Sequence, residues 1–198
     1  MAIDQSILSS GIRSTLKGEL YTSAEVFALE KKNIFQKSWL FVDYEYKVAE
    51  PGQYITTKVE GENILITRGK DNVLRAFLNV CRHRGATLCS EPSGKAGIFV
   101  CPYHSWSYGL DGSLAGVPKS SECREHLVNN DTYGLEKVNL QTWHGMIWLN
   151  FSENPEPLDE QINKQILERF GELDTIARYQ IEDLRVAHTK EYVVKANW

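Results

Sequence analysis

The sequence has no apolar run that approaches the length of a membrane span, which excludes a helix crossing the bilayer. It also lacks any cluster or stripe of lysine and arginine, and its net charge of −4 gives a pI near 5.8. A nucleic-acid partner is therefore not expected. Its first 20 residues carry charges and glycines where a secretory signal would have an apolar run, so the predicted location is the cytoplasm.

Cysteine is scarce, with four residues in 198. Disulfides rarely persist in the cytoplasm, so two bridges are not the preferred interpretation. Cys81 and Cys101 each lie beside a histidine in a metal-like pattern and are predicted metal ligands, whereas Cys89 and Cys123 lie outside that pattern and are predicted to be free thiols.

The pattern of apolar residues and turns predicts a mainly β, antiparallel sandwich between two helices. Residues 22–38 indicate a helix, with Thr22 and Glu25 spaced as a capping box. Short runs rich in Val, Ile, Tyr and Thr follow, broken by turn pairs about every ten residues. Residues 158–170 predict a second helix that ends at Gly171, and the tail after it is strand-like.

The chemistry is predicted to reside in two short motifs, Cys81-x-His83 and Cys101-x-x-His104, separated by seventeen residues. Two thiolates and two imidazoles are typical ligands of zinc or of an iron–sulfur cluster. A zinc site usually takes paired cysteines from one knuckle and paired histidines from another segment. Here each motif supplies one of each, which favours a two-iron cluster with both cysteines on one iron and both histidines on the other.

These motifs, "CRHRG" and "CPYHSW", resemble the Rieske [2Fe-2S] motif. The likeness extends over about residues 20–198, through "EPGQYITTKVEGENILITRGKDNVLRAFLNV", "SYGLDGSLAGVPK", "WHGMIWLNF" and "EYVVKANW". The chain thus resembles the N-terminal part of the large (alpha) subunit of Rieske non-haem iron oxygenases, also called ring-hydroxylating oxygenases. The resemblance implies that Cys81 and Cys101 bind one iron and that His83 and His104 bind the other.

The resemblance also implies a division of the chain. Residues 1–40 are expected to form an N-terminal helical segment and residues 41–155 the Rieske domain. Residues 156–198 are expected to be a linker helix and the first strands of a truncated α+β catalytic domain.

In that family a reductase, in some members through a ferredoxin, reduces the Rieske cluster. The electron then reaches a mononuclear Fe(II), which activates O₂ to hydroxylate an aromatic or quaternary-ammonium substrate, in the catalytic domain of a neighbouring alpha subunit. The residues that would bind this iron lie beyond the matched stretch. The parent is thus expected to be a Rieske-type mono- or dioxygenase, and this fragment alone an electron-transfer module with no catalytic residue.

Two alternatives remain open from the sequence. One is a complete, stand-alone Rieske ferredoxin, although residues 156–198 would then have no evident role. The other is a structural zinc module of a binding protein. An absorption and EPR spectrum distinguishes iron from zinc.

Respiratory Rieske proteins differ from this chain at three positions. They carry a disulfide between cysteines where this chain has Ala86 and Tyr103, and a serine where it has Trp106. Fewer hydroxyl donors to the sulfurs predict a reduction potential toward the low end of the Rieske range of about −150 to +300 mV. Residues outside the motifs are predicted to have structural or solvated roles: Arg82, Arg84, His126, His144 and His188.

Overall fold

The computed structural model describes residues 17–118, 131–171 and 178–193. These residues form mainly antiparallel β structure with few helices, which confirms the predicted fold class. The ten strands are Leu40–Tyr44 (β1), Gln53–Val59 (β2), Glu62–Arg68 (β3), Leu74–Leu78 (β4), Ser93–Lys95 (β5), Phe99–Val100 (β6), Ser107–Tyr108 (β7), Leu114–Gly116 (β8), Lys137–Trp143 (β9) and Met146–Asn150 (β10).

Seven strands build a curled sheet in the order β1-β10-β9-β4-β3-β2-β5, and the other three form a small sheet in the order β6-β7-β8. Two tight hairpins fix the register of the large sheet. Glu60 and Gly61 connect β2 to β3 with φ of 54° and 91°, and His144 and Gly145 connect β9 to β10 with φ of 46° and 76°. Two successive positive φ angles match the right-handed twist of the flanking strands in a hairpin.

The central strands of the large sheet carry consecutive apolar residues. Since alternate side chains point to opposite faces, these strands bury apolar side chains on both faces of the sheet. In β3, Ile64 and Ile66 contribute to a core with Val138 and Leu149, whereas Leu65 faces the other way. The second core lies between the two sheets. Its buried members are Leu65, Phe77, Cys81, Leu88, Phe99, Cys101, Trp106, Tyr108, Leu110, Leu114, Val117 and Leu135.

Within the described residues, the single helix predicted over 22–38 is replaced by shorter pieces. These are Glu19–Thr22 (α1), Ala24–Asn33 (α2) and a 3₁₀ turn at Phe35–Lys37. The predicted cap at Thr22 is wrong by one residue. Ser23 caps α2, since its Oγ accepts the N–H of Val26 at 3.2 Å. An extended residue between two helical turns provides the geometry that an N-cap requires.

The C-terminal helix, Leu158–Phe170 (α3), has the predicted bounds and ends at Gly171 with φ of 81°. Its start is fixed to the sheet, because Leu158 is 1% exposed and its N–H donates to Gln141 Oε1 at 2.6 Å. Just before it, Trp39 Nε1 donates to the carbonyl of Glu156 at 2.8 Å. Among the described residues, no helix combines the length and apolarity that crossing a membrane requires.

The strand-like pattern of the tail is not realised, since residues 184–193 form neither helix nor strand. A strand is stabilised by a hydrogen-bonded neighbour, and no described segment pairs with this stretch. The tail instead contacts two side chains outside the strands, His144 and Tyr46. His144 Nδ1 lies 3.2 Å from Glu182 Oε2, and the N–H of Val186 donates to Tyr46 Oη at 3.2 Å.

The contacts of Leu158 and Trp39 at the start of α3 bear on the predicted domain boundary at residue 155. A chain ending there loses the buried Leu158 and the acceptor of Trp39, whereas a chain ending at Gly171 keeps both. Burial of one leucine contributes about 1.5–3 kcal/mol, so we expect the shorter chain to melt roughly 5–10 °C below the longer one. Thermal unfolding of both chains measures this, with equal metal content expected. A metal lost from the shorter chain would place the boundary elsewhere.

Candidate metal centre

The four predicted ligands lie on two loops at the edge of the core between the sheets. Cys81 and His83 follow β4, and Cys101 and His104 connect β6 to β7. Both cysteines are 2% exposed and belong to the same buried cluster. The fold therefore brings together two motifs that are twenty positions apart in the sequence.

The first loop is closed by two backbone hydrogen bonds around Cys81. The N–H of Cys81 donates to the carbonyl of Ala86 at 2.8 Å, and its carbonyl accepts the N–H of Gly85 at 2.9 Å. Gly85 has φ of 72°, a conformation that glycine adopts without strain. The bonds hold the loop as a tight turn with His83 at its tip.

The second loop repeats this hydrogen-bond frame. The N–H of Cys101 donates to the carbonyl of Trp106 at 2.8 Å, and its carbonyl accepts the N–H of Ser105 at 3.0 Å. Ser105, at the position equivalent to Gly85, also has positive φ, 58°. A serine in this conformation is uncommon and is held by the surrounding bonds. The two loops thus present one cysteine and one histidine each from matching backbone turns.

The two histidine rings lie against each other, with centroids 4.8 Å apart and planes at 68°. The Nδ1 atoms of His83 and His104 are buried and have no hydrogen-bond partner among the described residues. Burying a ring nitrogen without a hydrogen-bond partner costs free energy, so each of these two atoms is expected to bind a group from outside the chain. Burial, and then the nearby His104 and Arg84, lower the pKa of His83, which favours the neutral imidazole that binds metals.

A hydroxyl donor to sulfur is present that the sequence analysis did not identify. Tyr108 is fully buried, and its Oη lies 3.3 Å from Cys81 Sγ. The same oxygen accepts the N–H of Arg82 at 3.1 Å, so its own proton is available to the sulfur. Burial, reinforced by the bond to Cys81, raises the pKa of Tyr108, which keeps the hydroxyl protonated.

Aromatic rings flank both histidines. Trp106, 8% exposed, stacks on His83 with centroids 4.9 Å apart and planes at 5°. Tyr103 stacks on His104 at 3.8 Å and is 60% exposed. A buried ring therefore covers His83, whereas the ring that covers His104 is itself exposed to solvent.

The chemistry of the four donors is compatible with a two-iron cluster. Within the ranges 17–118, 131–171 and 178–193, no group of three or more His, Cys, Asp or Glu side chains converges on a single metal position. A tetrahedral zinc site requires four donors around one ion, whereas a two-iron cluster of this type requires two protein donors on each iron. Two buried thiols and two orphaned imidazole nitrogens fit the second requirement.

The side chains of the other residues singled out in the sequence make separate contacts. Arg82 Nη1 pairs with Glu136 Oε2 at 3.2 Å, and His144 pairs with Glu182. His188 is exposed, and Cys89 is a partly buried free thiol. Cys123 and His126 lie outside the described residues.

Comparison with known proteins gives a consistent result. Residues 38–139 match the Rieske [2Fe-2S] domain. The chain is 42% identical over 181 residues to a carnitine monooxygenase oxygenase subunit of Acinetobacter pittii, covering 90% of this chain and 46% of that protein. It is 33% identical over 199 residues to the large oxygenase component of the naphthalene 1,2-dioxygenase system of Pseudomonas putida, covering 100% of this chain and 43% of that protein.

Among solved structures, the apo form of a quaternary ammonium Rieske monooxygenase, CntA, superposes with a TM-score of 0.72 at 39% identity. The match covers 88% of this chain and 49% of that one. The chain thus spans about half the length of the relatives it matches.

Proposed function

The chain belongs to the Rieske [2Fe-2S] domain family, as found in oxygenase large subunits, and on this premise we propose that it is the electron-transfer part of such a subunit. A Rieske domain implies a [2Fe-2S] cluster, which accepts and releases one electron. The observation that carries the proposal is the pair of buried, unpartnered Nδ1 atoms beside two buried cysteines.

We assign Cys81 and Cys101 to one iron, and His83 and His104 to the other. The matching turns around the two cysteines support this, because each holds its thiol in the core and its histidine at the loop tip. The lowered pKa of His83 supports the same assignment, since only a neutral imidazole donates its lone pair to iron.

The surrounding residues exclude water from one side of the site and leave the other side accessible. Trp106 and Tyr108 close the inner side, and Tyr108 places a proton toward Cys81 Sγ. His104, behind the exposed Tyr103, is the ligand nearest to a docking partner. An electron would therefore cross the protein surface on the His104 side.

Removal of the Tyr108 hydroxyl provides a first test of the site. We expect Tyr108→Phe to lower the midpoint potential, because one hydrogen bond no longer stabilises the additional charge on reduction. A difference of about 1 kcal/mol corresponds to about 40 mV for one electron. Voltammetry of Tyr108→Phe measures this, with Tyr44→Phe as the control on the far strand β1. A potential equal to that of the parent chain would contradict a bond to a ligand sulfur.

The whole protein would be a Rieske-type mono- or dioxygenase supplied by a reductase, in some cases with a ferredoxin, and working with neighbouring alpha subunits. Its mononuclear Fe(II) would need two histidines and a carboxylate, and no such trio converges in the part of the chain that the structure describes. Aromatic and quaternary-ammonium substrates are both represented among the relatives. The higher identity to the carnitine enzyme favours a quaternary-ammonium compound as the first class to test.

Absorption and EPR spectra of the anaerobically purified chain test the proposal directly. After reduction we expect a rhombic EPR signal of a mixed-ligand two-iron cluster, and reoxidation by an added one-electron acceptor. A colourless protein without an EPR signal would favour the structural zinc module. The cytoplasmic location remains a prediction.

A further inference from the structure

The two ligand loops share a backbone frame but differ at their base. In the second loop the frame continues directly into strand pairing, because β6 and β7 form an antiparallel ladder there. In the first loop the frame is followed by a single isolated bridge, between Val80 and Thr87, rather than by a ladder. A closure of another kind is therefore needed at the base of the first loop.

The side chain of Asn79 provides this closure. Its Oδ1 accepts the N–H of Cys89 at 3.0 Å, and its Nδ2 donates to the carbonyl of the same residue at 2.8 Å. One amide thus makes the two hydrogen bonds that a paired residue of an antiparallel ladder would make. Asn79 is 2% exposed, so water competes poorly for either bond, and losing them leaves backbone groups of Cys89 without a partner.

The backbone of Asn79 is engaged in a different direction. Its N–H donates to the carbonyl of Asn63 in β3 at 2.8 Å. The N–H of Val80 donates to the carbonyl of Leu78 at 2.8 Å, and a bond between residues two apart closes a γ-turn centred on Asn79. The chain thus turns two positions before Cys81, and the side chain of Asn79 makes the link to Cys89 that its backbone does not.

We propose that Asn79 is a positioning residue for Cys81: its buried amide joins the two ends of the first ligand loop and so fixes where this cysteine enters the core. This inference rests on the proposed function, because it takes Cys81 as an iron ligand. Phe99, which also lies two positions before a ligand cysteine, is itself part of the β6–β7 ladder that closes the second loop. Both bonds of the Asn79 amide lie within this chain, so the arrangement does not depend on what contacts the loop tip.

The test compares Asn79→Ala with the matched control Asn150→Ala in the full chain. Asn150 is 1% exposed and also makes two bonds to the backbone, outside both ligand loops: its Oδ1 accepts the N–H of Ser152 at 2.8 Å, and its Nδ2 donates to the carbonyl of Lys37 at 3.2 Å. Both substitutions leave backbone groups without a partner, so both should lower the melting temperature.

Only Asn79→Ala should change the cluster itself. At a temperature where both variants are folded, we expect iron release to a chelator to be about tenfold faster or more, for the loss of two buried hydrogen bonds. We also expect a shifted or broadened EPR signal of the reduced cluster, because Cys81 is no longer held in one position. Asn150→Ala should match the parent in both readouts.

Asn79→Asp provides a second variant if Asn79→Ala does not fold, because aspartate has the shape of asparagine. Its carboxylate still accepts the N–H of Cys89 but cannot donate to the carbonyl, so both readouts should move in the same direction. A parent value of either readout in folded Asn79→Ala, or in Asn79→Asp where Asn79→Ala does not fold, would overturn the inference. So would equal changes in Asn79→Ala and Asn150→Ala. If the parent itself contains no two-iron cluster, the proposed function fails and this inference with it; an intact parent signal separates the two failures.

Discussion

Replacing Cys81 with alanine is expected to abolish cluster assembly, whereas replacing Cys89 with alanine is expected to leave it intact. Cys81 is buried beside Cys101, and its backbone closes the first ligand loop. Two sulfurs are the minimum that can hold one iron of a mixed-ligand cluster, so the loss of either leaves that iron with a single protein donor.

Cys89 is a suitable control because it is a cysteine only eight positions further along the same segment. Burial raises the pKa of its thiol to about 11, so it stays protonated and does not compete for metal. Its backbone N–H and carbonyl bond to the side chain of Asn79, and alanine preserves both bonds. The iron and sulfide contents of the Cys81→Ala and Cys89→Ala chains measure cluster assembly, and circular dichroism verifies that both chains fold. A Cys81→Ala chain that retains two irons would refute the ligand assignment.

Replacing His104 with cysteine is expected to preserve a two-iron cluster and lower its reduction potential substantially. A thiolate adds a negative charge where an imidazole is neutral, and this charge opposes reduction. Clusters with two histidine ligands range from about −150 to +300 mV, and all-thiolate plant-type clusters lie near −400 mV. One exchange should therefore lower the midpoint by on the order of 100 mV or more.

His104 is the more informative of the two histidines to replace. Its neighbour Tyr103 is exposed, so a smaller side chain disturbs the core less than at His83, beneath the buried Trp106. His188→Cys is the matched control, since His188 is exposed and distant from the motifs in sequence. Spectroelectrochemical titration of both variants measures the midpoints. A His104→Cys chain with the parent potential would mean that His104 does not bind the cluster.

The fold class could be predicted from the sequence because its turns and apolar alternation are local, and the proposed ligand set depends on local spacing in the same way. Cys81-x-His83 and Cys101-x-x-His104 are read directly, and the turn at Gly145 is indicated by glycine between two alternating apolar runs. The end of α3 at Gly171 is equally local, since glycine is the common residue at that position.

The contacts around the ligands could not be predicted in this way. Tyr108 reaches Cys81 across 27 positions, and Trp106 reaches His83 across the space between two loops. Both contacts require that β7 return beside the first loop, which is a property of the folded sheets and not of any motif. An aromatic residue near a ligand indicates packing, but not whether its hydroxyl or its face makes the contact.

The errors at the two ends of the chain have separate physical causes. Ser23 and Thr22 are both good caps, and the extended backbone at Ser23, which selects it, is not encoded in the capping-box pattern. In the tail, residues 184–193 have the composition of a strand but no described partner to pair with. Strand formation depends on its context more than helix formation does.

The central claim is that two thiols and two imidazoles of this chain hold a pair of irons. Quantification of iron, zinc and acid-labile sulfide in anaerobically purified protein tests it most directly. We expect two irons and two sulfides per chain with negligible zinc. One zinc per chain without labile sulfide would contradict the claim.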